Sequence, residues 1–141
     1  MRRSARRRGI AAMEFAFWLP VVMTLLGGIV DVGWYLSCYQ NIVRAARSGA
    51  RVGAATLEDN GVVEGSQIEA AAISQAELVL DGVGMECTPT NGCDIDAVWD
   101  TSSGRAAIVV SVSYPAETLV GIVPVPDPIT AQFTMMTQQQ P

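Results

Sequence analysis

Hydrophobic residues change their spacing twice along this 141-residue chain. Residues 10–30 are almost all apolar and carry one charge, Glu14, and such a run is long enough for a helix that crosses a bilayer. Good helix formers then continue without a proline as far as Leu57, which predicts one helix over 10–57. From residue 93 onward the apolar positions alternate with a period of two, which predicts strands.

A second helix is predicted between the long helix and the strands. The acidic turn at residues 58–61 breaks the first helix. Ser66 and Glu69 have the spacing of a capping box, in which each side chain binds the other residue's backbone N–H, so we expect the second helix over 66–81. A disordered tail is expected from residue 138.

Three alternating segments between residues 93 and 137 predict an antiparallel sheet with one apolar face. A stretch over 117–122 is consistent with a fourth short strand or with a helical turn. An apolar sheet face must be covered by another element to be shielded from water, and we expect the part of the long helix over 38–57 to pack on it. The predicted fold class is α+β. The apolar positions are Cys93, Ile95, Ala97 and Trp99, then Ile108, Val110, Val112 and Tyr114, then Ile129, Ala131, Phe133 and Met135.

Charge is distributed unevenly and limits the possible functions. Residues 1–9 hold five arginines and no acid, whereas residues 10–141 hold four arginines and all 14 acids. Basic residues stay on the cytoplasmic side of a membrane helix, so everything after Asp31 should be exported. An acidic exported part argues against nucleic-acid binding. The chain has no histidine and no lysine. We therefore expect no enzymatic activity, no cofactor and no metal site.

The apolar run fits a permanent membrane helix better than a removable secretory signal. A signal peptide should be followed by small residues at its cleavage site, but Asp31, Trp34 and Tyr35 stand there. The predicted division is a basic leader over 1–9, a transmembrane helix over 10–31 and an exported domain over 32–141. Within the membrane helix, Pro20 should kink or loosen the backbone.

Cysteine usage agrees with export. Cys87 and Cys93 bracket a turn-rich stretch of five residues, which predicts a disulfide in an oxidising compartment. Their spacing does not fit a zinc site. The fate of Cys38 stays open between a small apolar helix residue and an intermolecular bridge.

Two faces of the exported half of the long helix have two possible roles each. Small residues at three- and four-residue steps over 45–54 are consistent with close packing on the protein's own domain or on other helices in a filament. Arg44, Arg47 and Arg51 form a basic stripe. This stripe is either a solvated face or a partner for the Asp94 and Asp96 face of another subunit.

Glu14 is the least expected residue of the membrane segment. A carboxylate inside a bilayer costs about 2.5–3.5 kcal/mol, so it needs a partner. Glu14 could reach lipid headgroups or Arg8 at the cytoplasmic interface. If a peptidase cut after Gly9, the new α-amino group of Ile10 could instead pair with Glu14 of a neighbouring subunit.

These features resemble type IV prepilins, and over residues 6–55 they resemble the TadE-like family of Tad pilus systems. The matching strings are RRRGIAAMEFAFWLP, GGIVDVGWYLS and NIVRAARSGARVGAA. Members of the family are pseudopilins or minor pilins that a prepilin peptidase cuts. The resemblance implies that Gly9 and Ile10 flank the scissile bond and that Glu14 sets filament register. Asp31 stands where glutamate would be expected.

The resemblance implies a minor pilin that assists assembly of a Tad pilus used in adhesion or surface attachment. Its partners would be the prepilin peptidase, other pilin and minor pilin subunits, the inner-membrane Tad assembly platform and membrane lipid. It would sit in the inner membrane with its N-terminus inside and reach an extracellular pilus on assembly. One alternative is an uncleaved single-pass envelope protein with a small binding domain. Another is a major pilin.

Overall fold

The computed structural model describes residues 3–60, 64–101, 106–116 and 118–136, and all their side chains except those of 3–11 and 57–60. It contains two α-helices, α1 over Arg3–Asn60 and α2 over Gly65–Asp81. A short 3-10 helix over Pro89–Asn91 precedes the strands. The strands are β1 over Asp94–Asp100, β2 over Ala107–Tyr114 and β3 over Ile129–Met136. The α+β prediction is confirmed.

Helix α1 is longer than predicted, because it begins at Arg3 and ends at Asn60. Its 58 residues correspond to a length of about 85 Å. The helix is continuous across Pro20, whose carbonyl accepts a hydrogen bond of 2.8 Å from the Thr24 hydroxyl.

The sheet is antiparallel in the order β1-β2-β3, and its register aligns the predicted apolar positions. Val112 lies between Ile95 and Ala131, and the next apolar positions along β2 pair in the same way. Every second residue of each strand therefore faces the same side, as the period of two requires. The three rows are Ile95–Val112–Ala131, Ala97–Val110–Phe133 and Trp99–Ile108–Met135.

Both helices cover the apolar face of the sheet, whereas the sequence assigned this cover to the long helix alone. Helix α2 packs mainly on β1. Residues 42–54 of α1 pack on α2 and on Ile108. The prediction was incomplete because α2 has an apolar stripe of its own, formed by Ile68, Ala72, Ala76 and Leu80, all fully buried.

The predicted capping box at the start of α2 is wrong. The helix begins at Gly65 after Glu64, and its N-terminus has no side-chain cap hydrogen bond. A carboxylate oxygen of Glu69 instead accepts the backbone N–H of Trp99 at 2.9 Å. This bond connects α2 to the outer edge of β1, and long-range packing has replaced the local bond that the spacing favoured.

The stretch after β2 is neither a strand nor a helical turn where it is described. Residues 118–128 form bends and irregular backbone, and we call the part over 118–125 the apolar loop. Two predicted features lie outside the described residues: the end of the last strand at 137 and the tail from 138.

The chain forms two compact units, each with its own contacts. The first consists of Met1–Tyr35 and Glu117–Val125, and the second of Leu36–Ala116 and Pro126–Pro141. Helix α1 contributes to both. The sheet, α2 and the part of α1 from Leu36 onward share one core in the second unit. The first unit contains the apolar run and the apolar loop.

Candidate functional site

The predicted cleavage position lies near the start of α1. Gly9 and Ile10 are both within the helical backbone, and their side chains lie outside those that the structure describes. Leader residues Met1 and Arg2 also lie outside the described residues. The structure therefore places the Gly9–Ile10 bond on the same helix as Glu14, four residues further along.

Glu14 projects from an apolar and exposed stretch of helix. Its neighbours around a shallow depression are Met13, Phe17 and Trp18, all exposed. The Glu14 carboxylate makes no hydrogen bond or ion pair with any other side chain that the structure describes. An exposed carboxylate surrounded by apolar side chains is available to a partner outside the chain.

The segment of α1 around Glu14 presents apolar side chains in every direction. Most large side chains between Met13 and Val30 are exposed, including Phe15, Trp18, Leu25 and Ile29. Over the described residues, α1 is the helix long and apolar enough to cross a membrane. A helix that is apolar all round fits a lipid environment or the interior of an assembly.

Asp31, which the sequence analysis noted only for standing in place of a glutamate, has a structural role that the sequence did not predict. It is fully buried, and its carboxylate accepts backbone N–H groups from the apolar loop. Oδ1 binds the N–H of Val120 at 2.7 Å, and Oδ2 binds the N–H of Ile122 at 2.9 Å and that of Val123 at 3.4 Å. Successive N–H groups that converge on one anion form a backbone nest, here filled by a side chain of the same protein.

Two glycines of α1 let the apolar loop approach the helix. A Cβ on Gly27 would lie 2.5 Å from Cδ1 of Ile122 and 3.4 Å from Cγ1 of Val120. A Cβ on Gly28 would lie 3.6 Å from Cγ2 of Val123. The apolar loop therefore packs closely against α1 at this pair of glycines.

Gly121 gives the loop the turn that its bonds require. Its φ of +76° lies in the region that favours glycine, between two residues that both donate to Asp31. The sequence contains one hint of this arrangement. Residues 118–126 carry no charge, between Glu117 and Asp127. Nothing local connects that stretch to Asp31, because the bonded residues are 89 to 92 positions apart.

Cys87 and Cys93 are joined by a disulfide in the second unit, with their Cα atoms 5.1 Å apart. Between them Asn91 organises the loop. Its side-chain oxygen accepts the N–H groups of Thr88 and Cys93, and its amide nitrogen donates to the Glu86 carbonyl at 2.6 Å. The disulfide thus fixes the approach to β1, and no described contact connects it to Glu14 or Asp31.

The small-residue face of α1 packs within the second unit. Ala45, Ala46 and Ala50 are buried, and a Cβ on Gly49 would lie 2.6 Å from the carbonyl oxygen of Ala72. Helix α2 therefore occupies the face that could otherwise have met a filament neighbour.

The basic stripe is exposed, as a solvated face requires. Arg44, Arg47 and Arg51 are all exposed, and the Arg47 guanidinium lies 5.2 Å from the ring centre of Phe133. This cation–π contact connects α1 to β3. Asp94 and Asp96 are exposed on β1 and remain available to other molecules.

Together, the fold and this site define an α+β protein with a long apolar N-terminal helix that can anchor it in a membrane. A family model described as TadE-like protein matches residues 9–51. The match confirms the resemblance to the TadE-like family over that part of α1. Comparisons with curated proteins and with solved structures give no match.

Proposed function

We propose that this protein is a TadE-like minor pilin, cut between Gly9 and Ile10 by a prepilin peptidase and needed for assembly of a Tad pilus. The observation that carries the proposal is the position of the family match, which begins at Gly9 and extends along α1 to residue 51. Its partners would be other pilin subunits and the inner-membrane Tad assembly platform, and its role would be in adhesion or surface attachment.

Glu14 supplies the mechanism of this proposal. Cleavage before Ile10 leaves a positively charged α-amino group four residues from a carboxylate on an apolar helix. An isolated carboxylate in the bilayer costs about 2.5–3.5 kcal/mol, and pairing with the amine of an adjacent subunit offsets that cost. Because the pair forms at one axial offset between neighbouring helices, it would set their register during assembly.

The size of the exported unit supports a minor rather than a major subunit. A major Tad pilin is expected to consist of little more than its helix. This chain adds a second helix, a three-stranded sheet and a disulfide. We propose an assembly role without catalysis, since the chain contains neither histidine nor lysine to act as a base.

The intact mass and N-terminal sequence of the protein from its host's membranes test this proposal. We expect a chain that begins at Ile10. In a strain without the prepilin peptidase, we expect the chain to keep its leader. A chain that begins at Met1 or Arg2 while the peptidase demonstrably cuts its other substrates would refute the pilin mechanism, and would favour the uncleaved anchored envelope protein.

A further inference from the structure

We propose that the apolar loop over 118–125 is a second membrane-contacting element, held by Asp31 at the exported boundary of the bilayer beside the transmembrane helix. This inference rests on the membrane anchoring in the proposed function and assigns the loop a partner, the boundary between lipid headgroups and acyl chains.

The level of the loop along α1 places it next to the bilayer. Ile122 and Val120 approach Gly27, which lies four residues before Asp31 and inside the charge-free run over 15–30. Four helical residues correspond to about 6 Å. The loop side chains therefore lie beside the last turn of the membrane segment and not beyond it.

The exposed side chains of the loop are apolar. Leu119 is 61% exposed, Val120 53% and Ile122 42%. On the helix at the same level, Leu26 and Ile29 are also exposed. Together they form one apolar surface that continues that of the membrane helix, and such a surface is typical of membrane contact.

The bonds to Asp31 make this location possible for irregular backbone. Backbone N–H groups without a partner are costly where water is scarce, so loops approach the hydrocarbon region only when those groups are satisfied. Asp31 accepts three N–H groups of the loop and is itself fully buried by it. The loop thus shields the Asp31 carboxylate from the bilayer, and the carboxylate accepts the hydrogen bonds of the loop N–H groups.

Spin-label accessibility in the full chain, reconstituted in phosphatidylethanolamine–phosphatidylglycerol vesicles, tests the proposal. A single label is attached in a Cys38→Ala background with the disulfide intact. Leu119→Cys reports on the loop. Leu78→Cys is the matched control, since Leu78 is an equally exposed leucine, at 65%, on α2 in the other unit. Phe17→Cys reports whether α1 itself is in the bilayer.

We expect the label at 119 to collide more with oxygen than with a water-soluble nickel complex, with a ratio several-fold above that at 78. A label at 119 that behaves like the one at 78 would overturn the proposal, as would a label shielded from both reagents, which would indicate a protein neighbour such as a second copy. If the label at 17 is in lipid, either result refutes membrane contact by the loop and leaves the membrane anchor standing. A label at 17 in water would refute the membrane anchor as well.

A second pair of variants tests the role of Asp31. Asp31→Ala removes the acceptor of the three loop N–H groups, and we expect the label at 119 to become accessible to nickel. Asp127→Ala removes a comparable bond, from the Ala116 N–H at 3.0 Å, and should leave the label at 119 in lipid. An unchanged label in Asp31→Ala would show that Asp31 does not hold the loop.

Discussion

At the scale of single residues, two carboxylates bind backbone amides that are distant in sequence. Asp31 binds the apolar loop, and Glu69 binds the N–H of Trp99, 30 residues away. β1 is an edge strand, so the Trp99 N–H would otherwise be one of the unpaired donors along the free edge of the sheet. Glu69 therefore both attaches α2 to the sheet and protects its edge.

Replacing Glu69 should destabilise the second unit. We expect Glu69→Ala to lower the free energy of unfolding by about 1–2 kcal/mol, because a half-buried N–H loses a charged acceptor. Denaturant unfolding of the full chain in detergent measures this. Glu77→Ala changes an exposed glutamate of the same helix and should have little effect. Equal losses in both variants would contradict the role of Glu69.

At the scale of elements, the close contact between α1 and α2 depends on a glycine and other small residues at the point where the helices meet. The backbones approach closely at Gly49, where an added Cβ would meet the Ala72 carbonyl and, at 3.3 Å, the Cβ of Ala76. A backbone carbonyl within a helix cannot move aside as a side chain can. The repeated small residues of α1 thus set the distance between two helices that share one core.

Gly49→Ala should therefore destabilise the protein even though alanine favours helices. Overpacking costs about 1–3 kcal/mol, against a gain of about 1 kcal/mol in helix propensity. Gly33→Ala is the matched control on the same helix, since a Cβ there meets nothing within 4 Å. Thermal unfolding should show a lower midpoint for the first variant and an equal or higher one for the second. A higher midpoint for Gly49→Ala would refute the close contact.

At the scale of the whole molecule, the hydrophobic core and the residue proposed to act in assembly lie in different parts of the chain. The hydrophobic core belongs to the second unit, whereas Glu14 lies in the first, on an exposed apolar helix. A change at Glu14 should therefore leave the fold of the second unit unchanged, and would affect only the proposed contact between subunits.

We expect Glu14→Ala to be exported, processed and folded normally but to fail in pilus assembly. Intact mass and thermal unfolding should match those of the unchanged protein, while surface pili, counted by electron microscopy, should be lost. Glu86→Ala, at an exposed glutamate of the second unit, should leave piliation intact. Normal piliation of the Glu14 variant would remove its proposed role in register.

Features that depend on near neighbours in the chain were readable from the sequence. The membrane helix follows from one continuous apolar run, and the sheet face from a period of two that places Ile108, Val110 and Val112 on one side. The Cys87–Cys93 pair is close because only five residues separate its members. Each of these features depends on residues that are close together in the chain, so the spacing of residue types in the sequence is enough to predict it.

Only the tertiary structure decided which distant groups form hydrogen bonds with one another. Ser66 and Glu69 had the spacing of a local cap, but the Glu69 carboxylate accepts the backbone N–H of Trp99 instead. The Asp31 carboxylate accepts N–H groups about 90 residues away, in a stretch with no regular secondary structure. Buried carboxylates and backbone amides must pair, but the packing of whole elements determines which of them come within reach.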